Sequence, residues 1–256
     1  MKKTIGLAAA IIIPYLVLSV KFLYIPTSYL LMLGFNWQNL LGLLTYSFMH
    51  ISPSHLIGNI VLLLSVGFIA ETKLSTKEYF GVYFTAGIVS ALVYGVMFPE
   101  NYLVGASAAI SALLAVAFII DIKKAFVSII IASIVISFAS PVLQAVTKSE
   151  FEKLQNKTSE ITEKVTELNK QIQEAKQKNL TEQAEVLEKQ KQEQVNELNK
   201  TSIQQIVIDE GIEREEKAKT SPLVHLAGAF TGLGYVFIFR RELVWQLPSQ
   251  IMPRKK

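Results

Sequence analysis

Long apolar runs separated by short polar breaks dominate this chain, and one long polar stretch interrupts them. Segments such as IGLAAAIIIPYLVLSV and AFVSIIIASIVISFA are apolar on every face. A helix crossing ~30 Å of hydrocarbon needs about 20 mainly apolar residues. On that criterion the pattern predicts six spans, at 5–24, 53–71, 78–98, 106–121, 124–144 and 222–240. Residues 25–50 are apolar but interrupted by Gly, Asn and Gln, which predicts a loop lying in the outer interface. The polar stretch, 148–219, is rich in Lys, Glu and Gln. Its apolar positions Ile161, Val165, Leu168, Ile172 and Ala175 alternate by four and three, a heptad-like seam. Asn179 and Glu182 have capping-box spacing, which predicts the start of a second helix there. The expected fold is therefore all-α: spans one to five over 1–147, a soluble antiparallel helical hairpin or coiled coil over 148–219, with arms of ~40 Å, and span six with a basic tail over 220–256.

Charge orients this arrangement. The 148–219 insertion takes 13 of the chain's 25 basic residues and 16 of its 21 acidic ones, leaving 12 and 5 for the apolar remainder. Eleven of those 12, at Lys2/Lys3, Lys73/Lys77, Lys123/Lys124, Arg240/Arg241 and Arg254/Lys255/Lys256, fall on one side of a six-span chain. The positive-inside rule makes that side cytoplasmic, with both termini inside and the insertion extracytoplasmic. Lys21 is left near the outer end of span one, where a long side chain can snorkel. The isoelectric point near 9 is thereby explained by membrane orientation, and no nucleic-acid partner is expected. The absence of cysteine excludes disulfides, thiol catalysis and cysteine metal sites. The N-terminal run lacks a small-residue cleavage site and is expected to remain as span one. Three Asn-x-Thr triplets, at Asn156, Asn179 and Asn199, permit glycosylation in a host that performs it.

Polar residues inside the apolar segments are few, and they gather at one depth. Spans two and six open with Ser52-Pro53 and Ser221-Pro222, a capping serine followed by proline in the first turn. His55 and His225 lie in those first turns, and Asn59 is one turn beyond His55 on the same face. Span four is short, which leaves a recess above its start, and Ser107 falls in its first turn. Gly228-xxx-Gly232 in span six, with Ser107, Ser111 and Ala115 in span four, supplies the small faces that let helices pack backbone to backbone. Taken singly, Ser107 is an ordinary packing residue and a lone histidine an ordinary hydrogen-bonding one. Taken together, ionisable groups at one membrane depth default to function, because burying them is costly. A metal site held by His50, His55 and His225 would lack carboxylate or cysteine help at that depth, so no metal and no cofactor is expected.

These residues resemble the rhomboid family of intramembrane serine proteases. His50, His55 and Asn59 in span two, Gly105-Ala106-Ser107 before span four and His225, Gly228 and Gly232 in span six match its motifs in order, and Glu71 matches its acid at the end of span two. The resemblance implies a protease that cuts transmembrane segments of other membrane proteins near the outer face. Ser107 would be the nucleophile and His225 its base. The Ser107 backbone N–H, His55 and Asn59 would form the oxyanion hole, and His50 would support the outer loop. The expected setting is a multi-pass protein of a prokaryotic plasma membrane. The family pattern does not include the insertion, which is read as a spacer, a substrate-contacting element or a self-association element. Three positions differ from the pattern: Ala108 replaces the glycine after the serine, Ser111 replaces an aromatic, and Trp37 is followed by Gln rather than Arg. They support a second reading, an inactive or very slow relative that binds membrane clients. A channel or transporter would instead spread polar residues along several spans.

Overall fold

The computed structural model describes residues 2–21, 23–217 and 221–245, and these form a helical bundle with a long helical arm. The basic tail at 254–256 lies outside the described residues. Among the described residues ten α-helices run in chain order: α1 (Lys2–Leu18), α2 (Thr27–Leu33), α3 (Gly42–Thr45), α4 (Pro53–Ala70), α5 (Thr76–Met97), α6 (Ser107–Ile120), α7 (Ile122–Gln177), α8 (Thr181–Lys217), α9 (Pro222–Phe239) and α10 (Arg241–Val244). Four of them, α4, α5, α7 and α9, are long and apolar enough to cross a membrane, and α6 is a shorter apolar helix.

Small side chains place α6 at the centre. Ala108, Ala109, Ala112, Ala115 and Ala117 are buried along it with Ile110, Leu113 and Val116, and α4, α5 and α9 pack around them. Its 14 residues span only ~21 Å, well short of the hydrocarbon thickness. Large apolar side chains point outward instead, including Phe126 and Phe138 of α7 and Phe230, Phe237 and Phe239 of α9. Apolar outside and small-residue inside is the packing of helices solvated by lipid.

One end of the bundle is stapled by polar contacts. Thr4 donates to the buried Glu71 carboxylate through both its N–H and its hydroxyl, each at 2.9 Å. Lys3 donates to the Glu71 and Leu74 carbonyls, and Arg240 to Glu78 and the Lys73 carbonyl. Several of the basic residues that orient the chain thus gather at this end.

Two boundaries differ from the sequence expectation. Span one was expected to reach residue 24, but α1 stops at Leu18. Lys21 adopts a left-handed φ of 51° and the chain folds back, with Val20 donating to the Tyr24 carbonyl. Lys21 pairs with Glu150 of α7 at 3.3 Å. Nor does the helix break after span five: α7 runs unbroken for 56 residues through Pro141 and out of the apolar bundle. Residues 25–50 form α2, α3 and a 3-10 turn (Tyr46–Phe48), with Met32, Leu40 and Leu41 exposed.

Beyond the bundle, α7 and α8 lie side by side, with Lys157–Glu197 and Lys176–Glu188 ion pairs between them, each at 2.7 Å. Leu154, Ile161, Ile172 and Ala175 of α7 and Ala184, Val207 and Ile208 of α8 are buried. Asn179 does not cap α8. It sits at φ 54° and ends α7, with Leu180 N–H bonded to the Ala175 carbonyl and Asn179 N–H to that of Lys176. That pair of bonds is the Schellman motif, which favours a left-handed Asn or Gly.

Candidate active site

The residues singled out by sequence come from the loop before α4 and from three helix N-termini at the opposite end from the staple. Ser52 caps α4, its hydroxyl accepting the His55 N–H at 3.2 Å, with Pro53 in the first turn. This places His55 one turn into the helix. Asn59 follows on the same face, buried, and its side-chain amide donates to the His55 carbonyl at 2.9 Å. An amide carries two N–H donors, so the second is not committed by this bond.

His50 is fully buried in the loop before α4, its ring centroid 5.0 Å from that of His55. Burial holds its imidazole well below the ordinary range, so His50 is neutral packing against His55.

Gly105 brings the α6 start to the same place. Its φ of +109° suits glycine, and a Cβ there would come within 2.7 Å of His55 Nε2. The backbone turns against the imidazole and delivers Ser107 as the first residue of α6, half-buried. An N–H in the first turn has no acceptor within its own helix. The Ser107 N–H is therefore not committed within α6.

Helix α9 closes the arrangement. Backbone of α6 lies directly on Gly228 and Gly232, where a Cβ would overlap the carbonyls of Ala108 and Ala112. Ala108 follows Ser107 in the chain, and Gly228 is three residues after His225. The helix contact therefore brings the starts of α6 and α9, which carry Ser107 and His225, to the same end of the bundle. His225 is also within electrostatic range of His55.

One feature had no sequence signal: what orients His225. Its Nδ1 lies 2.8 Å from the Ser221 carbonyl. A carbonyl only accepts, so Nδ1 is the donor, and in the neutral imidazole Nε2 keeps its lone pair. No carboxylate is needed to select this tautomer. Among the described residues no hydrogen bond joins Ser107 to His225. Ser111, in place of the family's aromatic, donates to the Ser107 carbonyl at 2.9 Å. Among the described residues there is no group of three or more potential metal ligands.

A bundle of apolar helices around a short, small-residue helix, with polar groups gathered at one end, defines an integral membrane protein. Compared with known families, the chain matches the rhomboid domain over residues 37–156. That match supports membership of the rhomboid family. The matched stretch contains His50, His55, Asn59, Gly105 and Ser107 and stops before His225. Comparison with curated proteins and with solved structures finds no match.

Proposed function

We propose that this protein is an intramembrane serine endopeptidase that cleaves transmembrane segments of other membrane proteins near the outer face. The observation that carries the reading is the close contact of α6 and α9 at Ala108/Gly228, with His225 held by Ser221 so that Nε2 is the free base. Ser107 Oγ attacks the scissile carbonyl carbon, and its proton passes to His225 Nε2. The tetrahedral oxyanion takes hydrogen bonds from the Ser107 N–H, His55 and Asn59, each donor contributing about 3 kcal/mol. Collapse breaks the C–N bond as His225 returns the proton to the leaving amine, and water then releases the acyl group by the same path.

Six spans, at α1, α4, α5, α6, α7 and α9, put both termini in the cytoplasm. The α7/α8 pair then forms an extracytoplasmic hairpin, and the plasma membrane of a prokaryote is the proposed location. Ala108, where the family has glycine, and Ser111, where it has an aromatic, favour the second reading, a slow or inactive client-binding relative.

Labelling of the purified protein in detergent by a fluorescent fluorophosphonate separates the two. Labelling of the parent that is lost in Ser107→Ala and His225→Ala supports the peptidase. Equal labelling of parent and Ser107→Ala would remove the serine nucleophile from consideration.

A further inference from the structure

The insertion does not merely hang beside the site; its base is docked on residues 23–27 and reaches the helix that carries His55 through Glu215. The α8 backbone at Gly211 lies directly on the Tyr24 ring, and Leu23, Tyr24, Leu154, Val207 and Ile208 form a small apolar cluster. Polar bonds surround it: Arg214 Nη2 donates to the Ile25 carbonyl at 2.9 Å, and Thr27 Oγ1 to Glu210 at 2.6 Å. At the inner edge of this contact, Glu215 accepts from Tyr24 Oη at 2.7 Å and from Ser54 Oγ.

The Ser54 contact begins a chain of bonds whose direction is fixed by its two ends. The His55 N–H can only donate, and it donates to Ser52 Oγ. The Glu215 carboxylate can only accept, so the Ser54 hydroxyl proton points at Glu215. Ser54 Oγ, 3.0 Å from Ser52 Oγ, is then left to accept the Ser52 proton. The relay runs His55 N–H to Ser52 to Ser54 to Glu215, linking the α4 cap to a carboxylate from the insertion. Hydrogen bonds in such a chain polarise one another, and a negative charge at a helix N-terminus is favourable. Glu215 is also within electrostatic range of the His55 ring.

We propose that Glu215 is a positioning residue for the oxyanion side of the site: through Ser54 and Ser52 it fixes the first turn of α4 and hence the His55 imidazole. The proposal rests on the peptidase reading above. It makes the insertion an integral part of the catalytic apparatus, which a spacer would not be.

Fluorophosphonate inactivation tests it, since phosphonylation passes through the same kind of oxyanion. Glu215→Ala should lower kinact about ten-fold while KI stays within about two-fold, because a bond made to order the transition state affects the rate and not the binding. Glu215→Gln, which keeps one acceptor, should recover part of that loss. Ser54→Ala and Glu215→Ala should be non-additive. Thr27→Ala, which removes a docking bond outside the relay, should match the parent. Amide exchange of residues 53–59 should quicken in Glu215→Ala and not in Thr27→Ala, a readout independent of activity.

Parent-like kinact for Glu215→Ala and Glu215→Gln, with Ser107-dependent labelling intact, overturns the positioning role and leaves the peptidase standing. Unchanged exchange at 53–59 in Glu215→Ala overturns the relay. A parent that is not labelled overturns the peptidase reading and the catalytic role of Glu215 with it. Should Glu215→Ala not fold, Glu215→Gln carries the same comparison.

Discussion

Replacing Gly228 by alanine adds one methyl group at the α6/α9 contact. The new Cβ would overlap the Ala108 carbonyl oxygen and lie 3.0 Å from the Ala108 carbonyl carbon and 3.3 Å from Ser90 Oγ. The obstacle is backbone, so no side-chain rotation relieves it. Carbon–oxygen contacts between packed helices normally run ~3.3–3.6 Å, so the helices must separate by more than about 1 Å. Overpacking of this kind costs about 1–3 kcal/mol of stability. A 1 Å misplacement of reacting groups costs about 100-fold in rate, and His225 rides on the helix that moves. The built-in control is Gly234→Ala on the same helix, where nothing lies within 4 Å of the added Cβ. That change should stabilise slightly, by about 0.5–1 kcal/mol, because alanine loses less freedom on entering a helix. Thermal unfolding in detergent and the rate of fluorophosphonate labelling read both effects. Equal melting temperatures and equal labelling rates for Gly228→Ala and Gly234→Ala would refute the close-contact account.

Thr4→Val removes the hydroxyl bond to the buried Glu71 carboxylate and should lower stability by about 1.5–3 kcal/mol, measured as a drop in the unfolding midpoint in detergent, with Lys3→Ala as the milder comparison. Asn179→Gly should stabilise the α7–α8 turn by up to about 1 kcal/mol, since the position is left-handed, and Asn179→Val should destabilise it; helix content against temperature checks both. The Glu188 and Glu197 carboxylates are held below the ordinary glutamate value of 4.5 by hydrogen bonds from Lys176 and Lys157. A depressed folded-state value means that the stabilisation is fully present above 4.5 and is lost as pH falls through the lower value. Amide exchange of the α7–α8 pair should therefore be flat from pH 7 to about 5, after correction for intrinsic rates, and rise on further acidification.

Much of the bundle was legible because lipid imposes a simple rule: segments apolar on every face must be spanning or buried. The starts of α4 and α9 followed from Ser-Pro pairs, and the α6/α9 contact from Gly228 and Gly232. Where α1 ends was not legible, because Val20 and Leu23 are as apolar as a continuing span and only the left-handed turn at Lys21 stops it. The unbroken α7 was hidden by its change from apolar to charged composition, which marks a change of solvent and not of backbone. Asn179 looked like a capping residue because Asn suits both a helix start and a left-handed helix stop. The Ser52–Ser54–Glu215 chain had no signal at all: Glu215 is one of 16 acids in a polar segment, and only folding brings it to Ser54. The Ser221 carbonyl that orients His225 is backbone, which carries no residue signature.

Continuity of α7 has a mechanical consequence. The 30 residues from 148 to 177 extend the span by ~45 Å without a joint, about as far as the span itself is long. Torque applied at the tip is delivered to the half of the rod lying against α4, with the cluster of Leu154, Leu23 and Tyr24 as fulcrum.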